Sequence, residues 1–196
     1  RAVDPTLLVA LGTLSSAQAK GTEATAAATV HLLNYCATDP DACLRYKASD
    51  MVLYIHSDAS YLSEPKARSR SGGHFFLSDA PSGHHAPPVF LPPLNGPIHA
   101  VSKILDVVVG SAAEAEIAAG HFNGQNTVPI VTTLEELGHK QPPTPIEVDN
   151  TASEGFANDT MKQKRSKAMD MRWCCLKDRV LHKQSLCCSG PVKNGL

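Results

Sequence analysis

Two short apolar runs in this chain each end in an aspartate, and no other feature restricts the fold as much. Met51-Val52-Leu53-Tyr54-Ile55-His56-Ser57 leads into Asp58, and Pro145-Ile146-Glu147-Val148 leads into Asp149. Both runs read as strands. Carboxylates at the carboxyl ends of neighbouring parallel strands point into one crevice, which is where open α/β sheets place their ligands. A third acidic residue, Glu116, lies in the small-residue segment Ser111-Ala112-Ala113-Glu114-Ala115-Glu116-Ile117-Ala118-Ala119, which reads as a helix. Three carboxylates brought together repel and resist full ionisation unless a cation joins them. Hard oxygen ligands suit Mg²⁺. The residues therefore point to metal-dependent hydrolysis of a phosphodiester.

Local spacing separates the two glutamates of that helix. Ser111 and Glu114 stand three apart as a capping box, which gives Glu114 a structural task at the helix start. Glu116 is two residues further on, about 200° round the helix, and faces elsewhere.

The rest of the chain divides into recognisable segments. Residues 1–48 read as two helices: Thr6–Lys20 after Pro5, with Leu7, Leu8, Leu11 and Leu14 at helical spacing, then a second helix from Thr22 to the Asp39-Pro40-Asp41 turn. A first strand over Met51–Asp58 precedes a polar stretch, Ser63–Ser71. The pair Gly72-Gly73 opens a second strand, His74–Ser78. Asp79–Pro97 is proline-rich and cannot be a central strand, so it is expected to be a long surface loop. Ile98–Leu105 reads as the third strand, with Val107–Val109 a candidate extension. The helix bearing Glu116 is expected to be interrupted at Pro129 and to resume through Thr132–Leu137 to Gly138. Asn150 suits the N-cap of a helix to Asn158. Lys162–Arg179 reads as another helix, and Leu186-Cys187-Cys188 as a last strand.

Charge is unevenly placed. The formal total is −1, yet from Met161 onward nine basic residues face two acidic ones, +7, leaving −8 for residues 1–160. A basic end beside an acidic site is what a nucleic-acid enzyme needs. No apolar run reaches the ~18 residues of a membrane span, and no signal peptide is evident. The six cysteines follow no zinc or disulfide spacing, so they read as reduced thiols of an intracellular protein, cytoplasmic or nuclear.

The same residues carry a resemblance. Ser111–Ala119 resembles the Ser-Ser-Thr-Glu-Ala-Glu-Tyr-Ile-Ala motif of ribonuclease H domains in copia-type (Pseudoviridae) LTR-retrotransposon polyproteins. Ser57-Asp58-Ala59-Ser60-Tyr61 is similar to the family's first-strand Asp-Ala-Asp/Ser motif. Glu147-Val148-Asp149-Asn150-Thr151-Ala152 resembles its Cys-Asp-Asn-x-x-Ala, and Arg165-Ser166-Lys167-Ala168-Met169-Asp170-Met171-Arg172 its Arg-x-Lys-His-Ile-Asp-Ile-Arg. The four motifs fall in the family's order over roughly residues 50 to 182. The resemblance implies an α/β fold, a ribonuclease H-like mixed sheet with flanking helices, preceded by an N-terminal helical segment. It implies three parts: 1–48, the helical connection segment of a reverse transcriptase; 49–184, the ribonuclease H-like domain; and 185–196, a truncated C-terminal tail.

By the same resemblance, Asp58, Glu116 and Asp149 are both catalytic residues and metal ligands. Two Mg²⁺ ions, with Mn²⁺ as an alternative, would lie roughly 4 Å apart. Asp58 would bridge both ions, and Glu116 and Asp149 would hold the second. The implied substrate is an RNA–DNA hybrid, recognised through shape, phosphates and 2′-hydroxyls, with Lys164, Arg165 and Lys167 as phosphate contacts. The polymerase portion of the reverse transcriptase is the implied partner. The family supplies a fourth carboxylate from an Ala-Asp-x-x-Thr-Lys motif, and this sequence stops about where it should begin, which implies an impaired enzyme. The alternative expectation is a catalytically inactive fragment acting as a structural or interaction subunit of a larger assembly.

Overall fold

Pairing carries the first strand well past Asp58. In the computed structural model, which describes residues 4–80, 92–158 and 174–189, β1 spans Val52–Glu64 and β2 spans Arg68–Ser78 as its antiparallel partner. The expected strands, Met51–Asp58 and His74–Ser78, were therefore too short, and the polar stretch between them is hairpin. Polarity misled there because Arg70 finds partners in both neighbouring strands. Arg70 is buried, its Nε donating to Glu64 Oε1 at 2.6 Å and its Nη1 to Ser102 Oγ at 3.0 Å.

Three further strands complete one sheet. β3 (Pro97–Ile104) pairs antiparallel with β2, so Val107–Val109 does not extend it. β4 (Thr144–Val148) runs parallel to β1, and β5 (Ser185–Ser189) parallel to β4, giving the order β3-β2-β1-β4-β5. Ser185–Ser189, the start of the stretch set apart above as a tail, is thus an edge strand. This is the mixed α/β sheet with flanking helices that the resemblance implies.

Among the described residues three helices accompany this sheet: α3 (Ala112–Glu136), α4 (Thr151–Ala157) and α5 (Cys174–Leu181). Contrary to expectation, α3 runs through Pro129 without a break. Proline removes one backbone donor and crowds the preceding turn, yet Leu134 beyond it is buried in the core, and Thr133 Oγ1 donates to the Pro129 carbonyl at 2.8 Å. Packing on both sides of the proline outweighs its local cost. Of the expected helix Lys162–Arg179, Cys174 onward lies in α5 and the remainder lies outside the described residues.

Side-chain alternation puts Leu53, Ile55, Phe75, Ile146, Val148 and Cys187 on one sheet face, against Leu134 of α3, Ala157 of α4 and Leu176 of α5. Val52, Tyr54 and Phe76 form a smaller cluster of their own. Phe75 has no exposed surface. Phe75→Ala is expected to cost about 3–5 kcal/mol through lost burial and the cavity left behind. Urea unfolding measures this, and a loss below about 1 kcal/mol would remove Phe75 from the core.

The chain splits into two compact units between Tyr46 and Lys47. The first holds α1 (Leu8–Ala17), flanked by 3₁₀ turns at Pro5–Leu7 and Gln18–Lys20, and α2 (Glu23–Thr38). Asp4 caps the start, accepting from Thr6 N at 2.9 Å, and Thr22 caps α2 reciprocally with Thr25. Neither helix buries a single residue. Among the described residues no helix is long and apolar enough to cross a membrane. All six cysteines are free, and burial pushes the Cys187 thiol up to about 12 and the Cys188 thiol up to about 11.

Candidate metal centre

The parallel pairing of β1 and β4 sets the site. Ile55 faces Ile146, His56 faces Glu147 and Ser57 faces Val148, so Asp58, midway along β1, comes beside Asp149, the first residue past the end of β4. α3 supplies the third carboxylate. Its N-terminus is fixed by Ser111, whose Oγ accepts from Glu114 N at 3.2 Å. Glu114 closes the cap in a shifted form, accepting from Gly110 N at 2.7 Å rather than from Ser111 N. With Glu114 occupied, Glu116 turns onto the buried face of the helix, 5% exposed.

One oxygen from each of Asp58, Glu116 and Asp149 lies within 4.8 Å of the others. Asp58 and Asp149 are exposed, and Glu116 is buried behind them. The Ala59 amide donates both to Asp58 Oδ1, at 2.8 Å, and to Glu116 Oε1, at 3.0 Å. Glu116 Oε2 is buried and has no hydrogen-bond partner among the described residues.

Burial, then the charge of Asp149, then that of Asp58 push the Glu116 carboxyl up to about 8, while the Ala59 amide pulls the other way. At neutral pH and without a cation, Glu116 therefore holds its proton. A divalent cation among the three carboxylates would supply what the geometry lacks: a partner for the orphaned Oε2 and a charge against the mutual repulsion. Three oxygens with room for water suit Mg²⁺ or Mn²⁺, so the residues fit a metal.

Structure brings all three sequence-derived carboxylates together. Lys164, Arg165 and Lys167 lie outside the described residues. Two features went unread in the sequence. His56 Nε2 contacts Glu147 Oε2 at 2.8 Å, two rungs in from the aspartates; only the β1–β4 register brings together residues so distant in sequence. Asn123 is fully buried, its Nδ2 donating to Ser57 Oγ at 2.9 Å and to the Gly72 carbonyl at 2.8 Å. A count of seven from Glu116, two helical turns, was the available signal.

No family model matches this sequence, and no curated protein does. Among solved structures, this chain is similar to LC11 ribonuclease H1, isolated from compost by a metagenomic approach: 10% identity, 71% of this chain and 84% of that one, TM-score 0.48. It is also similar to the N-terminal ribonuclease H domain of a Mycobacterium tuberculosis protein, at 8% identity, 71% and 86% coverage and TM-score 0.46. A foamy viral protease-reverse transcriptase in complex with dsDNA gives 18% identity, 75% and 83% coverage and TM-score 0.40. Strand order, strand directions and register define the fold.

Proposed function

We propose that this chain carries a ribonuclease H-type nuclease of copia-type retroelement origin, which hydrolyses the RNA strand of RNA–DNA hybrids with a divalent metal. One observation carries the reading. The middle of β1, the end of the parallel β4 and one capped helix bring Asp58, Glu116 and Asp149 within 4.8 Å of one another, with a buried oxygen unpartnered. The order of the four motifs along the sequence supports the retroelement origin.

In this reading Asp58, Glu116 and Asp149 hold the metal, Mg²⁺ or Mn²⁺. When bound, it supplies Lewis-acid stabilisation of charge on the phosphodiester and lowers the pKa of water. The residues themselves do three things. The Ala59 amide orients Asp58 and Glu116 toward each other. The buried position of Glu116 excludes water from one side of the site. Exposed Asp58 and Asp149 leave the other side open to a substrate backbone. Residues 1–48 would be the connection segment of a reverse transcriptase, with its polymerase portion as partner.

The test is cleavage of a labelled RNA–DNA hybrid by folded protein in Mg²⁺, in Mn²⁺ and in chelator. Metal-dependent cleavage of the RNA strand is expected, and no cleavage with either metal overturns the reading. Lys164, Arg165 and Lys167 are proposed phosphate contacts. Substituting each by Ala should flatten log K against log salt by about 0.9 per lost contact, measured by fluorescence anisotropy on the hybrid. An unchanged slope would take that residue out of the interface.

A second reading, a non-catalytic interaction module, has one observation in its favour. α1 and α2 bury no residue and leave Val9, Val30, Leu33 and Tyr35 more than half exposed. The cleavage assay decides between the two.

A further inference from the structure

Asn123 is committed to the strands beside Asp58. Its Nδ2 donates to Ser57 Oγ at 2.9 Å and to the Gly72 carbonyl at 2.8 Å. Ser57 precedes Asp58 in β1, and Gly72 is the ladder partner of Asp58 in β2. One carboxamide thus grips both strands at the rung that presents Asp58. Seven residues separate it from Glu116, two turns less about 20°, so both side chains leave α3 on one stripe. Glu116 reaches the Ala59 amide. The helix is pinned to the sheet at two points that bracket Asp58.

This arrangement carries a cost. Asn123 has no exposed surface, and its Oδ1 has no hydrogen-bond partner among the described residues. Burying an amide without full compensation is unfavourable, and apolar side chains of similar volume often serve a core at least as well. The backbone accommodates Asn123 further: a Cβ on Gly73 would stand 2.6 Å from Oδ1. An apolar residue could fill the space, but it would not fix how far α3 slides or turns on the sheet. Ligand constellations tolerate errors of only about 0.5 Å.

We propose that Asn123 is a positioning residue of the carboxylate site, whose hydrogen bonds to Ser57 and Gly72 fix the slide and rotation of α3 so that Glu116 meets Asp58 and Asp149. The proposal rests on the reading of those three carboxylates as a metal centre and adds to it the device that assembles them.

The test uses the full chain and three variants. Asn123→Leu removes both bonds while keeping the branching of the side chain, with methyls somewhat larger than the amide groups. Ser57→Ala removes one acceptor and leaves the Gly72 bond. Gly73→Ala keeps every hydrogen-bonding group but crowds Oδ1. Amide hydrogen exchange at Ala59 is read in metal-free protein, and Mn²⁺ affinity is read by electron paramagnetic resonance. In Asn123→Leu, Ala59 should exchange about tenfold faster while the core amides of Leu53 and Phe76 keep their protection. Mn²⁺ should bind about tenfold more weakly. The other two variants should move both quantities in the same direction by less, and Ser57→Ala carries the test if Asn123→Leu does not fold.

Ala59 exchange that is unchanged, or that rises only in step with the core amides, overturns the proposal. So does Mn²⁺ affinity that stays put while Ala59 loosens. If the wild-type chain binds no Mn²⁺, the metal reading fails by itself, and Ala59 exchange alone decides the role of Asn123.

Discussion

Replacing Asp58 with Asn is expected to lower hybrid cleavage by about three orders of magnitude or more, a loss of at least ~4 kcal/mol of transition-state stabilisation. Asparagine has the same shape and keeps one oxygen that can accept the Ala59 amide, now at 2.8 Å from Asp58 Oδ1. What it removes is the charge. Asp58 sits on the central strand, exposed, and faces both other carboxylates, so one substitution strips the metal site of a ligand charge without opening a cavity. The variant should fold at least as well as the parent, because Asp58 is one of the two charges that repel Glu116. Single-turnover cleavage of a labelled RNA strand, beside thermal melts of both proteins, separates lost chemistry from lost fold. A variant retaining more than a tenth of the rate would show that the chemistry lies elsewhere.

Glu116→Gln should have the second-largest effect, lowering cleavage while raising stability. The Glu116 carboxyl rises from an ordinary 4.5 to about 8 on folding, first through burial and then through Asp149 and Asp58. Below about pH 4.5 it is protonated in both folded and unfolded chains, so it costs nothing. Between about 4.5 and 8 the unfolded chain releases the proton and the folded chain retains it, so stability falls as pH rises. Above about 8 the full penalty is present. At about 1.4 kcal/mol per unit, that penalty is on the order of 3–5 kcal/mol.

Glutamine cannot ionise, so the variant should escape the penalty and melt on the order of 10 °C above the parent at pH 8.5 while matching it at pH 4.5. Mg²⁺ or Mn²⁺ should raise the melting temperature of the parent far more than that of the variant. Cleavage should fall with the lost ligand even as stability rises. Parallel pH profiles for the two proteins would show that Glu116 is not the strained member of the group.

How much of this could be read before folding varies from residue to residue. The choice between Glu114 and Glu116 was legible, because a capping box is a local device and its three-residue spacing is visible in Ser111-Ala112-Ala113-Glu114. The neighbouring placement of Asp58 and Asp149 was legible too, because each closes an apolar run that reads as a buried strand, although β1 continues to Glu64 and only β4 ends at its aspartate. The β1–β2 hairpin was not, since the burial of Arg70 depends on Glu64 and Ser102 arriving from neighbouring strands. Continuity of α3 through Pro129 was missed for the same kind of reason: propensity is local, and the packing of Leu134 that outweighs it is not.

Asn123 marks the boundary most clearly. In the sequence it is a polar residue in a polar stretch, His121-Phe122-Asn123-Gly124-Gln125-Asn126, and such residues usually face water. Buried, it touches the rung that presents Asp58. Apolar runs and capping, which act over a few residues, determined where the strands begin to pair, the glutamate that faces inward and the identities of the three carboxylates. Their distances, the orphaned oxygen of Glu116 and the grip of Asn123 were decided only by tertiary packing, because those depend on how far one helix slides along a sheet, and no spacing along the chain encodes that distance.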